Sequence, residues 1–181
     1  LFTKAFGGRN AVTEANLGRA LAAFQRSLTA TNAPFDRYMR GDTTAMTAAQ
    51  IRGLHGFIYQ GCARCHSGPL LSDFQPHEIA IPSPPDAPVD LGDGNRRFRT
   101  PSLRMVTLTA PYMHNGALAS LGQVFDNYHN NEVTDPLLEG DVEVALGGAD
   151  DLILFFEALS DGTFDRTIPE RVPSGLPPGG P

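Results

Sequence analysis

Apolar side chains recur at helical spacing in four stretches of the chain. In the first, Leu17, Ala20, Leu21, Phe24 and Leu28 fall on one side of EANLGRALAAFQRSL, with Arg19 and Arg26 elsewhere on the cylinder. Thr13 in front of it reads as an N-cap, so the pattern predicts a core-facing helix ending near Thr29. Asn32-Ala33-Pro34 breaks that helix, and Pro34-Phe35-Asp36-Arg37-Tyr38 predicts a short helical turn with proline in first position. A second long helix is expected after Thr47, with Ile51, Leu54, His55 and Ile58 along one side, leading straight into Cys62. The third starts at Ser120, where Gln123 completes a capping box and Leu121, Val124, Phe125 and Tyr128 share a face. The last, Ala149 to Leu159, turns Leu152, Phe155, Phe156 and Leu159 inward.

Between Ser67 and Thr100 the period fails and prolines recur, which predicts a long irregular segment with a short strand near Glu78 to Ile81. Beyond Ile168 the sequence PERVPSGLPPGGP is too poor in apolar residues to build a core. No internal repeat is visible. The expected organisation is a mostly α domain over residues 1–168, its helices joined by long irregular loops, followed by a Pro/Gly-rich tail over 169–181.

Length and charge narrow the function classes. A chain of 181 residues with 41% apolar residues can close one sizeable core without disulfide staples. Fourteen basic against twenty acidic residues give a net charge of −6, which argues against a nucleic-acid partner. No apolar run approaches the roughly 18 to 20 residues of a membrane span. The start Leu1-Phe2-Thr3-Lys4 lacks the layout of a signal peptide, and the chain reads as processed or truncated.

The two cysteines decide the chemistry. Cys62-Ala63-Arg64-Cys65-His66 is C-x-x-C-H, the attachment signature of c-type haem. Its spacing places two thiols on one helical turn, able to form thioethers with the two haem vinyl groups, and leaves the adjacent imidazole below the iron. A thioredoxin-like pair needs a βαβ context that this helical chain lacks, and a structural zinc site needs a second ligand pair. A disulfide between Cys62 and Cys65 would close a tiny loop. Covalent haem maturation takes place outside the cytoplasm, so a bacterial periplasm is the expected compartment.

For the opposite side of the iron, Met39, Met46, Met105, Met113, His55, His77, His114, His129, Tyr112 and Tyr128 are all candidates on chemistry alone. Tyr128 sits on the apolar stripe of its helix, whereas His129 is rotated by about 100° onto the side of Asp126. The alternative for Tyr128 is a core tyrosine whose hydroxyl is satisfied by a backbone carbonyl. Met113 and His114, in the turn-like Pro111-Tyr112-Met113-His114-Asn115-Gly116, could approach a cofactor edge or plug a gap. His55 reads as a packed or surface residue and His77 as a loop histidine without a visible partner. Arg96, Arg97 and Arg99 read either as a solvated face or as a source of a propionate partner, for which Arg97 is the candidate.

Together, FDRYMRGD (35–42), CARCHSGPLLSD (62–73), FRTPSLRMVTLTAPYMHNGALASL (98–121) and the following VFDNY resemble the C-terminal haem domain of the di-haem cytochrome c peroxidase / MauG family, over about residues 5 to 160. The resemblance implies a cytochrome c-like helical haem domain and a partner N-terminal domain, carrying a second haem, that this chain does not contain. In the family, the residue seven beyond the leucine that opens the helical segment after the His-Asn-Gly turn is the distal ligand; peroxidases proper have methionine there and the MauG-like branch tyrosine. Counting from Leu121 gives Tyr128. The resemblance further implies a calcium ion on the backbone carbonyls of Thr109 and Pro111, and a hydrogen bond near the haem from His114. Met105 departs from the family, which commonly has asparagine there. The expected function is one half of a peroxide-dependent di-haem oxidoreductase, relaying oxidising equivalents from hydrogen peroxide to a substrate, with a protein residue among the candidates. The alternative is a mono-haem electron carrier without turnover, with Met105 or Met113 on the iron.

Overall fold

The computed structural model describes residues 1–28, 31–82, 88–130, 148–162 and 168–172. The chain divides into two compact units, Leu1–Thr29 with Thr163–Pro181, and Ala30–Gly162. In the first, α1 (Phe2–Phe6) precedes α2 (Glu14–Ser27). Thr13 caps α2 as its sequence predicts, its hydroxyl accepting from the Asn16 N–H at 3.1 Å. The expectation of a core-facing α2 is corrected: Leu17, Leu21 and Phe24 remain 51%, 55% and 62% exposed. An amphipathic period identifies which face is apolar, not whether anything covers it. Among the described elements of its own unit, only the five-residue α1 is available.

The second unit holds α3 (Pro34–Met39), α4 (Ala48–Tyr59), β1 (Pro76–Glu78), β2 (Arg97–Arg99), α5 (Leu121–Asn130) and α6 (Ala149–Glu157), with single 3₁₀ turns at Cys62–Arg64 and Val106–Leu108. It is mostly α. Thr47 and Gln50 form a capping box at the start of α4, with Thr47 N–H donating to Gln50 Oε1 at 2.9 Å and Gln50 N–H to Thr47 Oγ1 at 3.2 Å. The box expected at Ser120 and Gln123 is present too. The strand expected at Glu78 to Ile81 lies two residues earlier, where His77 pairs with Phe98 of an antiparallel β2 that the sequence reading missed. β2 alternates as Arg-Phe-Arg but is only three residues long, shorter than the roughly four to eight over which alternation identifies a strand.

The core lies where α4 crosses α6. Phe155, Leu152 and Leu159 are fully buried, as the sequence predicts for α6, and Phe57 packs its ring on Phe155 and Phe156 with centroids 5.2 and 6.0 Å apart. The buried face of α4 is Gly53 and Phe57 rather than the expected Ile51, Leu54, His55 and Ile58; Ile51 and Leu54 are half-buried and His55 and Ile58 exposed. The helices approach so closely at Gly53 that a residue with no side chain becomes the centre of the contact. α3 is tied to this core by the Phe35 N–H, which donates to the Ala158 carbonyl at 3.0 Å.

Arg104 binds the loop after the cysteines to α3. It makes paired hydrogen bonds to Asp36, at 2.8 Å from Nη1 and 2.7 Å from Nη2, and its Nε donates to the Pro69 carbonyl at 2.9 Å. The next residue, Met105, adopts φ 58 and ψ 22, a left-handed conformation that costs a side chain with Cβ roughly 1–2 kcal/mol and that asparagine tolerates better. Met105→Asn is therefore expected to raise stability by about 1 kcal/mol in chemical denaturation. An unchanged or lower midpoint would show that its side-chain packing outweighs the backbone term.

Candidate functional site

A cavity of about 370 Å³ runs between the attachment turn and α5, within the size range of cofactor sites. Cys62, Cys65 and His66 form one wall; Val124, Phe125 and Tyr128 of α5, with Phe57, Leu152 and Phe156, form apolar walls; Arg99, Thr100, Ser102 and His114 add polar groups. The turn that presents the cysteines follows α4 directly. Gly61 takes φ 81, ends the helix without penalty, and starts the Cys62–Arg64 turn. Burial pushes the Cys62 thiol up to about 11, so it stands as a neutral thiol, and both cysteines are unbridged.

His66 is oriented by its backbone surroundings. Its Nδ1 lies 3.1 Å from the Leu71 carbonyl, and because a carbonyl only accepts, Nδ1 carries the proton and Nε2 the lone pair. Burial lowers its affinity for a second proton. The ring is thus kept neutral and in the tautomer that a metal ligand requires, with the second partner typical of ligating histidines.

The candidates for the opposite side separate by position. Met105, Met39, Met46, His55 and His129 do not line the cavity, while Met113, His77, His114, Tyr112 and Tyr128 do. Three of these five are committed: Tyr112 Oη donates to the Val106 carbonyl at 3.1 Å, His77 Nε2 lies 2.8 Å from Asp73 Oδ2, and His114 Nε2 lies 2.8 Å from Asp90 Oδ2. The Tyr128 hydroxyl has no hydrogen-bond partner among the described residues, unlike the satisfied core tyrosine of the alternative reading. Burial, reinforced by the sulfurs of Cys62 and Cys65, pushes it up to about 12. Met113 carries the other uncommitted donor atom, on a turn where its φ is 68.

Of the remaining sequence candidates, Thr109 and Pro111 line the cavity edge. Arg97 does not: its Nη2 is 2.7 Å from Asp93 Oδ2, which holds it outside, while Arg99, two residues on, is the arginine of the wall and lies over the Phe74 ring at 4.5 Å. His114 stands at the rim with its ring 4.2 Å from that of Phe98. Two features went unseen in the sequence. Asp73 pairs with His77 across four positions of an irregular segment, and Asn127, buried beside Tyr128, donates to the Ala80 carbonyl at 2.8 Å. Polar residues inside a proline-rich loop carry no periodic signal, but a buried asparagine on the shoulder of an apolar stripe was there to be noticed.

Two unbridged thiols, a neutral imidazole with its Nδ1 proton engaged, an uncommitted phenol and apolar walls make a donor set that fits a covalently attached haem.

The sequence profile of the family described as "Di-haem cytochrome c peroxidase" matches residues 1–44. The chain is 33% identical over 185 residues to "Methylamine utilization protein MauG" of Methylophilus methylotrophus, covering 93% of this chain and 53% of that protein. It is 35% identical to the protein of the same name from Methylorubrum extorquens, with 94% and 51% covered, and 32% identical to "Cytochrome c551 peroxidase" of Pseudomonas aeruginosa, with 80% and 43% covered. Among solved structures, a MauG-like protein associated with microbial copper homeostasis superposes with a TM-score of 0.69 at 26% identity, over 90% of this chain and 58% of that one. The chain spans about half the length of the curated relatives it matches. By motif order, sequence identity and fold, this chain belongs to the di-haem cytochrome c peroxidase / MauG family.

Proposed function

We propose that this chain is the C-terminal haem-c domain of a MauG-like di-haem peroxidase or oxidase, with Cys62 and Cys65 as thioether anchors, His66 as proximal ligand and Tyr128 as distal ligand. The observation that carries the reading is the Tyr128 hydroxyl, uncommitted among the described residues, in the same cavity as both thiols and His66. When bound, haem c supplies the one-electron chemistry; the protein supplies ligands, burial and orientation. His66 offers Nε2 while Leu71 holds Nδ1–H. Tyr128 keeps its proton at neutral pH in the absence of a metal, since burial raises its affinity for it. A phenolate on ferric iron is a hard, anionic donor that favours the oxidised state, so this pair of ligands suits a reservoir of oxidising equivalents better than a conventional ferrous carrier.

In the full reading, hydrogen peroxide reacts at a second haem in an N-terminal domain, and this domain shares and relays the oxidising equivalents to a substrate, a residue of a protein partner or a redox partner. The compartment is the periplasm, where c-type attachment occurs. Calcium on the Thr109 and Pro111 carbonyls belongs to the same proposal. Arg99 is the arginine placed to meet a haem carboxylate. Met113 supports a second reading, a mono-haem carrier with thioether ligation, because its side chain lines the same cavity.

Tyr128→Phe separates the two. Resonance Raman and EPR of the ferric protein are expected to lose a phenolate signature completely in the variant, while haem stays covalently bound by mass. An unchanged spectrum would refute Tyr128 as ligand, and its change only in Met113→Leu would establish the carrier reading.

A further inference from the structure

The loop that orients the proximal imidazole is stitched down on both sides. His66 keeps its Nδ1 proton on the Leu71 carbonyl, five residues further along the chain. Leu71 is buried with φ 52, a left-handed conformation that a residue with a Cβ holds only where its surroundings dictate it. Its two flanks supply that constraint. Ser72, also buried, donates from Oγ to the Thr100 carbonyl at 2.8 Å and accepts the Phe74 N–H at 3.0 Å. Ser102 answers from the opposite segment: its Oγ donates to the Leu70 carbonyl at 2.6 Å and accepts the Arg104 N–H at 3.1 Å. Each hydroxyl uses its donor across the gap and its acceptor on its own segment, so the two crossing bonds run in opposite directions around Leu71.

We infer that Ser72 and Ser102 form a reciprocal clamp that positions the Leu71 carbonyl on His66 and thereby sets how strongly that imidazole binds iron. The inference rests on the haem reading above and gives the two serines a positioning role in it. An acceptor held on the Nδ1–H of a ligating histidine fixes the ring and raises its basicity, so a firmly placed carbonyl makes the ring a stronger donor to ferric iron. Loosening the clamp weakens that donor and makes the iron easier to reduce.

The remaining bonds of the loop do not replace the clamp. The Ser72 N–H donates to the Ser67 carbonyl and the Asp73 N–H to the Cys65 carbonyl, both at 2.8 Å, so the loop closes on the attachment turn. These bonds stay on the near side and leave the distance to residues 100–104 unset. That segment matters because Pro101, between Thr100 and Ser102, supplies a further backbone carbonyl that favours a proton on the His66 ring. The clamp therefore registers two backbone acceptors, from opposite segments, against one imidazole. Arg104 also fastens the stretch, to Pro69 and to Asp36. Its removal would leave the Asp36 charge uncompensated, so the serines are the cleaner probes.

The test uses the haem-loaded chain, native and as Ser72→Ala, Ser102→Ala, the double variant, and Ser102→Thr, whose extra methyl has room because Ser102 is exposed. Two quantities are read: solvent exchange of the His66 Nδ1 proton by NMR of the ferric protein, and the reduction equilibrium by optical titration with mediators. Each alanine variant should speed the exchange and shift the equilibrium toward ferrous iron, the double variant by about tenfold, which is 59 mV for one electron. Ser102→Thr keeps the hydroxyl and should match the native protein in both. Should Ser72→Ala fail to fold, Ser102→Ala decides alone, since its side chain lies at the surface. Alanine variants that lose thermal stability but keep the native exchange rate and potential overturn this inference and leave the haem reading standing; a chain that takes up no haem overturns both.

Discussion

Gly53→Ala is expected to destabilise the second unit by about 3 kcal/mol, the upper end of overpacking costs. The added Cβ would run into the Asp151 carbonyl and stand 2.8 Å from Phe155 Cβ. Two of the three nearest atoms are backbone of α6, so no side-chain rotation relieves the contact, and the helices have to separate. Separation uncouples Phe57 from Phe155 and Phe156, which means the loss is spread over the whole core rather than confined to one methyl. For a chain of this size a loss of that order lowers the melting temperature by roughly 6–12 °C. A change within a degree or two in calorimetry would mean that α4 and α6 shift apart at little cost. Gly56, one turn on, provides the contrast: its nearest neighbours would lie at 3.7 and 3.9 Å, ordinary contact distances, and Gly56→Ala should be close to neutral or stabilising.

The second large effect concerns Arg104. Removing one partner of a desolvated ion pair costs about 3–5 kcal/mol, because the other charge is left buried and uncompensated. Arg104 and Asp36 have side chains only 8% and 13% exposed, so Arg104→Met is expected to cost several kcal/mol in urea denaturation, and Arg104→Met with Asp36→Leu less than the single change. A double variant as unstable as the sum of its parts would contradict the pairing. The comparison with Arg52 and Asp151 shows why geometry alone does not set the scale. That pair has equally good distances of 2.8 and 3.0 Å, but Arg52 is 62% exposed, and exposed pairs contribute about 1 kcal/mol or less.

The caps on α2, α4 and α5 were readable because a cap is a local bargain between a side chain and a backbone N–H a few residues away. That the C-x-x-C-H residues and Tyr128 would share one cavity was readable for a similar reason: one is a short run of sequence, the other a position on a helical face. Features that depend on distant segments were not. The uncovered stripe of α2 reads in sequence like a buried one. The choice of Gly53 and Phe57 over His55 and Ile58 depends on how closely α6 approaches, and a glycine has no hydrophobicity to signal it. Arg99 and Arg97 are indistinguishable by type; Asp93, four residues before Arg97, draws one away and leaves the other at the wall. The Asp73–His77 pair lies beside the β1–β2 pairing, and β2 is too short, at three residues, for its alternation to be recognised.

The bond from the Asn127 side chain to the Ala80 carbonyl joins α5 to the segment that continues β1. It thereby fastens the helix bearing Tyr128 to the strand bearing His77, one residue from the first and three from the second. A cage braced in this way resists breathing, and satisfied buried polar links of this kind are what make an interior stiff. On the proposed function, such a brace would limit the rearrangement of the cavity wall that a change of oxidation state imposes.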